Sequence, residues 1–284
     1  MCGRVVQSKD PTTYGRLLQP TGGGGLPNAP PHYNGAPGQD YLVGRFNPLT
    51  GERTVDVLRW GLIPSWAKDR KVAWKFINAR SETVWTTAAF KAAYKKRRCL
   101  LPVDGFFEWK KVGKEKRPYL IGMAHSAPFT LAALWENWKD PETSAWVRTF
   151  TILTTEANEL VATLHDRMPV ILAPEDRERW LTDPDPADLM RPYPADLMTM
   201  WPVSPEVNSV RSGIDRPGEY PDPAAGSVAA TPGRSGTPPA TARPSTGSDG
   251  STGDAETGDD AADPPSPGTR AISLDRAGTS TRGA

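Results

Sequence analysis

Hydrophobic and polar residues alternate in short runs along the first three quarters of the chain. Residues 41–46 and 54–60 flank the turn-forming run 47–51, which predicts a β-hairpin. The same pattern predicts further strands at 98–103, 119–123, 130–134, 147–154 and 169–172, and helices at 84–96, 156–164 and 174–181. Because the strands do not alternate regularly with helices, we expect an α+β fold. It should be mostly antiparallel and barrel-like, with short peripheral helices.

The pattern ends near residue 210. Residues 211–284 consist mainly of Pro, Gly, Ser, Thr, Ala and Asp, and Tyr220 is their only aromatic residue. Such a segment cannot bury enough apolar surface to offset the entropy of ordering. The sequence therefore predicts one catalytic domain over residues 1–210 and a disordered tail over residues 211–284.

Charge separates these two parts of the chain. Residues 1–210 contain 27 Lys and Arg against 23 Asp and Glu, whereas the tail has seven against ten. A mildly basic domain is compatible with a nucleic-acid partner. No apolar run reaches transmembrane length and no signal-peptide core is present, so we expect a cytoplasmic protein without membrane contact. Nothing in the pattern indicates an oligomer, and a monomer is expected.

The position of the first cysteine is the clearest chemical feature. Removal of Met1 would leave Cys2 with a free α-amine beside its thiol. The amine can condense with an aldehyde, and the thiol can then close on the imine carbon to give a thiazolidine. Ordinary pKa values of about 7.7–8.0 for the amine and about 8.5 for the thiol leave both partly deprotonated near neutrality. Taken alone, Cys2 is better interpreted as a buried, inert cysteine, and it is the segments below that favour the reactive interpretation.

Two segments contain groups suited to nucleic acid. Residues 60–67 place two tryptophans and a proline around a glycine, as in a core loop or in a wedge that separates nucleobases. In residues 76–82, Asn78 offers a donor and an acceptor, and Arg80 offers a planar fork for phosphate.

Two further segments contain candidate acid–base groups. Residues 104–109 place Glu108 between aromatic side chains, where desolvation raises the pKa of a carboxyl group. Residues 164–169 place His165 between a predicted helix and a predicted strand, a position suited to a side chain that faces a cleft. Each of the two could instead be structural, as a salt-bridged carboxylate or a core histidine.

The motifs resemble, in kind and order, those of the SOS-response-associated peptidase (SRAP) family. The likeness rests on Cys2-Gly3-Arg4 and on residues 60–66, 78–82, 105–109 and 165–169, and it extends from Cys2 to about Asn208. Residues 34–39 are similar to the family motif Asn-x-Ala-Pro-Thr-Gln, although Gly38 stands where threonine is usual and His32 where arginine is common. The resemblance implies the SRAP fold.

The resemblance also implies a function. Members of the family recognise abasic sites in single-stranded DNA and trap the ring-opened sugar aldehyde as a thiazolidine on the N-terminal cysteine. Catalytic roles are implied for Cys2 as nucleophile, Asn78 as the holder of the amine or the sugar, and Glu108 and His165 as proton-transfer groups. DNA-binding roles are implied for Arg4, Asn34, Trp60, Pro64, Trp66, Arg80, Thr154 and Arg167.

Two other functions remain open. The Cys2 thiol could attack an amide, as in a cysteine peptidase or amidase of the N-terminal-nucleophile type, and a self-cleavage that removes Met1 fits this function as well as the first. A non-catalytic module could bind single-stranded DNA through its arginines and tryptophans alone. A covalent adduct with abasic DNA distinguishes the first function from both alternatives.

Several reactive residues lie outside these motifs. His32 and His125 receive no role, Cys99 is expected to face the core of a strand, and residues 95–98 are expected to form a solvated charged face at a helix end. No group of His, Cys, Asp and Glu has metal-ligand spacing, so neither a metal nor another cofactor is predicted.

Overall fold

The computed structural model describes residues 2–22, 25–47 and 50–210. The predicted tail and the centre of the 47–51 turn lie outside these ranges, so the proposed domain boundary stays a prediction. The strands are β1 (Val5–Gln7), β2 (His32–Gly35), β3 (Asp40–Asn47), β4 (Glu52–Trp60), β5 (Asn78–Arg80), β6 (Arg98–Val103), β7 (Gly105–Val112), β8 (Glu115–Met123), β9 (Phe129–Lys139), β10 (Trp146–Glu156), β11 (Arg167–Pro169), β12 (Ile171–Leu172) and β13 (Met198–Pro202).

The α-helices are short and lie between strands. They are α1 (Pro11–Leu18), α2 (Lys91–Lys96), α3 (Glu159–Ala162) and α4 (Asp176–Thr182), and 3₁₀ helices cover Arg70–Lys75, Ala187–Leu189, Ala195–Leu197 and Pro205–Asn208. No helix among the described residues is long and apolar enough to cross a lipid bilayer.

Five strands close on themselves to form a barrel. β3 pairs with β4 and β6, β6 pairs with β9, and β9 pairs with β10, all antiparallel, and a parallel β10–β4 pairing completes the ring. The predicted hairpin is confirmed, because Asp40 on β3 lies opposite Arg59 on β4 and the register continues to Asn47 opposite Glu52. The predicted α+β, mostly antiparallel and barrel-like fold is therefore correct.

A second, antiparallel sheet positions the start of the chain. Its strand order is β13-β8-β7-β1-β2. Val5 on β1 lies opposite Phe106 on β7, and the Phe107 amide donates to the Arg4 carbonyl at 3.0 Å. This pairing places the residues just before β1 beside the middle of β7, although about one hundred residues of chain separate the two segments.

The core lies inside the barrel and under its outer helices. Trp60 and Phe150 stack within the barrel with ring centroids 6.3 Å apart, and Tyr41 meets both rings edge-on. Cys99 on β6 is fully buried, as predicted. Helices α2 and α4 pack against the other side of the barrel, where Trp180 is buried and donates its indole N–H to the Cys99 carbonyl at 3.0 Å.

The helices differ from their predicted lengths. The predicted helix over 84–96 is real only at Lys91–Lys96, because residues 83–87 form successive turns in which the Thr83 carbonyl accepts from the amides of Thr86 and Thr87. The predicted helix over 156–164 shortens to α3, and the one over 174–181 corresponds to α4. Helix α1 was not predicted, although Asp10 caps it by accepting from the Thr12 amide at 2.8 Å.

The charged run at 95–98 is solvated only in its first half. Lys95 and Lys96 are exposed, but Arg97 pairs with Glu136 at 2.6 Å and Arg98 is buried. The Arg98 guanidinium donates to the Tyr94 carbonyl at the end of α2 and to carbonyls at the end of α4. Because the last carbonyls of a helix lack partners within it, a buried arginine can satisfy two helix ends at once. The expectation of a solvated face is wrong for Arg98.

Candidate active site

The start of the chain meets β5 and β7 at Cys2. Cys2 is fully buried, and the Asn78 side-chain amide donates to its carbonyl at 2.8 Å. Glu108, on β7, is also buried, and its charge acts on the Cys2 thiol. Three of the four predicted catalytic residues are thus brought together by strand pairing.

Burial favours the neutral form of both titratable groups in this cluster. Burial raises the pKa of the Cys2 thiol, and the negative charge of Glu108 raises it further. Burial raises the pKa of Glu108 to about 7, as the aromatic surroundings predicted. Glu108 can therefore exchange a proton near neutrality, and its ionised form disfavours a thiolate at Cys2.

His165 lies between α3 and β11, as predicted. Its Nδ1 accepts from the Arg167 amide at 2.9 Å, so in neutral His165 the ring hydrogen is on Nε2. An Asp166 carboxylate oxygen also lies 2.8 Å from Nδ1 and would accept from it once the ring is protonated. Burial lowers the pKa of His165.

Asp166 links this loop to the cluster at Cys2. Burial is the main cause of the raised Glu108 pKa, and the negative charge of Asp166 raises it as well. The carboxylate thus acts on both proposed proton-transfer groups. Its signal in the sequence is its place next to His165 in the motif over residues 165–169.

Three predicted DNA-binding residues gather around β10. Thr154 on β10 lies opposite Arg80 on β5 and opposite Pro169 on β11. Thr154 is buried, whereas Arg80 is exposed. The Arg167 side chain is only 12% exposed, and it donates to the Thr154 carbonyl at 2.6 Å while forming an ion pair with Glu82. Arg167 therefore has protein partners where a free phosphate-binding group was expected.

Arg4 and Asn34 are tied to the end of the domain. Arg4 donates to the Asn34 side chain at 2.6 Å and to the Val207 carbonyl at 2.8 Å, and its guanidinium lies over Trp109, 5.8 Å from the ring centroid. The indole N–H of Trp109 donates to the Asn208 side chain at 2.6 Å. Sequence patterns could not reveal this contact, because Val207 takes part only through its backbone.

The predicted wedge contains one exposed residue. Trp60 is buried in the barrel and donates its indole N–H to the Ile77 carbonyl at 2.8 Å, so it has no face free for a nucleobase. Pro64 is buried too. Trp66 is 61% exposed and is the remaining candidate of the three. The wedge prediction is wrong for Trp60 because the inward face of β4 ends on that residue.

Among the residues that the structure describes, no group of three or more His, Cys, Asp or Glu side chains is arranged to hold a metal ion.

The raised pKa of Glu108 makes stability depend on pH. Between its ordinary pKa of about 4.5 and its folded value of about 7, the unfolded chain is ionised while the folded one keeps the proton. Unfolding free energy should therefore fall as pH rises through this window. In Glu108→Gln that loss is absent, and the variant should become more stable than the parent by roughly 2–3 kcal/mol above pH 7, with little difference near pH 4.

Urea unfolding of both proteins between pH 4 and pH 8 measures this difference. Glu115→Gln is the matched control, because Glu115 lies on the neighbouring strand and is exposed. A parent–variant difference that stays constant across the pH range would contradict the assignment.

Comparison with known proteins identifies relatives of the whole described domain. The family model of the SOS response associated peptidase (SRAP) matches residues 1–210. The chain is 44% identical over 188 residues to abasic site processing protein YoqW of Bacillus subtilis (strain 168), covering 64% of this chain and 83% of the relative. It is 34% identical over 188 residues to abasic site processing protein YedK of Escherichia coli (strain K12), covering 64% of this chain and 79% of the relative.

Solved structures share the same architecture. A crystal structure of a protein from Bordetella bronchiseptica superposes with a TM-score of 0.62 at 28% sequence identity, covering 72% of this chain and 100% of that one. A crystal structure of a protein from Bacteroides thetaiotaomicron gives a TM-score of 0.57 at 28% identity, covering 61% of this chain and 78% of that one.

Proposed function

The chain belongs to the SOS response associated peptidase (SRAP) family, and from this membership we propose that it processes abasic sites in single-stranded DNA by trapping their aldehyde on Cys2. Relatives 44% and 34% identical are named abasic site processing proteins, which supports this function. The observation that carries the proposal is the Asn78–Cys2 hydrogen bond beside the buried Glu108. It holds the one residue whose amine and thiol can both react with an aldehyde.

The proposed reaction needs no external oxidant or reductant. After Met1 is removed, the Cys2 amine adds to C1′ of the ring-opened sugar, and the C1′ oxygen leaves as water to give an imine. The Cys2 sulfur then bonds to C1′, and the thiol proton passes to the imine nitrogen. One C–N bond and one C–S bond form, and one water is released. The imine step is the lyase-like part of this activity.

Glu108 and His165 are suited to the proton transfers. With its pKa at about 7, Glu108 can protonate the departing oxygen and recover the proton afterwards. Protonated His165 carries a hydrogen on each ring nitrogen, and Asp166 lies where it can accept from Nδ1. The Nε2 proton can then pass to the sugar-ring oxygen during ring opening, which leaves a neutral imidazole.

Exposed residues next to this cluster are the best DNA contacts. Arg80 is exposed on β5, two residues after Asn78, and Trp66 is exposed in the loop that follows β4. In this proposal Arg4 and Arg167, which already have protein partners, shape the site from within. Asn34 and Thr154 support them.

Intact-mass measurement tests the proposal against its alternatives. The purified protein is incubated with single-stranded DNA that carries one abasic site, and separately with a peptide substrate. A mass equal to protein plus DNA minus one water supports the proposed reaction. Binding without an adduct would favour a non-catalytic module, and hydrolysis of the peptide would favour a cysteine peptidase. Loss of Met1 in the parent but not in Cys2→Ser would support self-cleavage at the terminus.

Arg80→Ala should weaken binding of single-stranded DNA and make it less sensitive to salt. Each phosphate neutralised on a single strand contributes a slope of about −0.7 to log K against log salt concentration. Removal of one contact should therefore make the slope shallower by about 0.7. Fluorescence anisotropy titrations at several salt concentrations between about 50 and 300 mM measure this slope.

Arg117→Ala is the matched control, because Arg117 is an exposed arginine on β8, which belongs to the other sheet from β5. An Arg80→Ala slope equal to that of the parent would remove Arg80 from the path of the DNA.

A further inference from the structure

A groove outside the candidate active site is lined by two exposed indoles. It lies between the end of β4, the 3₁₀ helix Arg70–Lys75 and the start of β10, and its volume is about 470 Å³. Trp74 and Trp146 line it and are 65% and 64% exposed. Large aromatic side chains left in water on one surface are typical of an interaction site.

Positive charge surrounds these indoles. Four cationic side chains and one carboxylate line the groove, namely Arg59, Arg70, Lys71, Arg148 and Asp40. Two of the arginines are about half exposed and only loosely paired, with Arg59 3.9 Å from Asp40 and Arg148 3.5 Å from Asp56. Arg70 is closely paired with Asp140 at 2.7 Å, so the excess positive charge of the groove comes from Arg59, Lys71 and Arg148, and it favours a polyanion.

The loop over residues 34–39 connects the groove with the candidate active site. At one end of the loop, Asn34 accepts from Arg4. At the other end, Gly38 lines the groove beside the Trp74 ring, and its amide donates to the Trp60 carbonyl at 2.8 Å. Gly38 has a φ of +88°, and a Cβ there would lie 3.3 Å from the Trp74 ring. Glycine therefore lets the loop adopt this turn against the indole.

We propose that this groove is a second subsite for single-stranded DNA, in which Trp74 and Trp146 stack on unpaired bases and Arg59, Lys71 and Arg148 hold phosphates. The inference rests on the proposed function, since the strand in the groove is the one whose abasic site reaches Cys2. Aromatic rings beside a line of cations bind single strands with little sequence preference. The excess of cations favours DNA over a protein partner as the occupant.

The test uses a fluorescent 15-nucleotide oligothymidine, about the length one single-strand-binding fold covers. This probe carries no abasic site, so its affinity does not depend on chemistry at Cys2. The double variant Trp74→Ala/Trp146→Ala should bind it about 10- to 100-fold more weakly than the parent. Trp74→Tyr/Trp146→Tyr should recover most of the loss, because tyrosine also stacks. Arg148→Ala should make the salt slope shallower by about 0.7, whereas Arg117→Ala should not change it.

Crosslinking separates this inference from the proposed function. At saturating abasic DNA, the double alanine variant should form its adduct at the parent's rate, since the groove lies outside the acid–base cluster. If the double alanine variant bound oligothymidine with the affinity of the parent, the DNA subsite would be wrong. Loss of binding to a protein partner in the same variant would not rescue it. Failure of the parent to form any adduct would overturn the proposed function but leave the affinity comparison valid.

Discussion

Replacing Cys2 with serine should abolish the stable crosslink to abasic single-stranded DNA while changing DNA affinity by less than about twofold. The serine amine can still form an imine, but its hydroxyl is too weak a nucleophile to close the ring, so the imine reverses. The Asn78 contact should persist in the variant, because it is made to the backbone carbonyl of residue 2. Denaturing electrophoresis and intact mass measure the adduct, and anisotropy measures the affinity.

The second cysteine provides the matched control. Cys99 is buried on β6 and carries no backbone amine that can be freed, so Cys99→Ala should crosslink normally. A tag that prevents removal of Met1 should have the same effect as Cys2→Ser, because the amine then stays in a peptide bond. If either blocked protein formed a stable adduct without borohydride reduction, the thiazolidine mechanism would be wrong.

Replacing the acid–base residues should slow crosslink formation without abolishing binding. Loss of a general acid or base lowers rates by about 10²- to 10⁴-fold, and we expect effects of this size for His165→Ala and Glu108→Gln. Glu108→Gln keeps the size and polarity of the side chain but cannot carry the proton. Single-turnover rates at saturating abasic DNA, measured between pH 5 and pH 9, report the chemical step. In the parent, the rate should change with pH around the Glu108 pKa of about 7. In Glu108→Gln this change should be absent.

A simple open-chain aldehyde distinguishes the steps that the two residues serve. It needs no ring opening, so the effect of His165→Ala should be smaller on this substrate than on the abasic sugar. Equal slowing on both substrates would move the role of His165 to imine chemistry. If neither variant changed any rate, Glu108 and His165 would be structural residues.

The fold was predictable where alternation alone decides it. The hairpin of β3 and β4 and the strands β6, β8, β9 and β10 appear in the sequence as apolar runs between turn residues. The prediction of a helix over 84–96 was wrong for its first half. Apolar residues there, such as Val84 and Ala89, are buried, but they lie in successive turns and not in a helix. The prediction that Arg98 is solvated was wrong because its side chain donates to carbonyls at the ends of two helices. The local sequence pattern does not show that these helix ends lie close together.

The motifs indicate which residues form the candidate site, but they do not indicate its geometry. Cys2 and Asn78 are 76 positions apart, and they meet because β5 joins the barrel beside the segment that leads into β1. Trp60 and Trp66 belong to one motif, yet β4 directs the first into the barrel, whereas the second is exposed in a turn beyond the end of that strand. The ion pair between Arg167 and Glu82 depends on the pairing of β10 with β11. The order of charges along the sequence does not predict that pairing.

Strand β10 belongs to both the barrel and the site. It pairs with β4 and β9 in the ring, and with β5 and β11, which carry Asn78, Arg80 and Arg167. A local opening that released β5 or β11 would remove hydrogen bonds from a largely buried strand of the ring. The amide hydrogens shared between β10 and these two short strands should therefore take part of their exchange protection from the barrel.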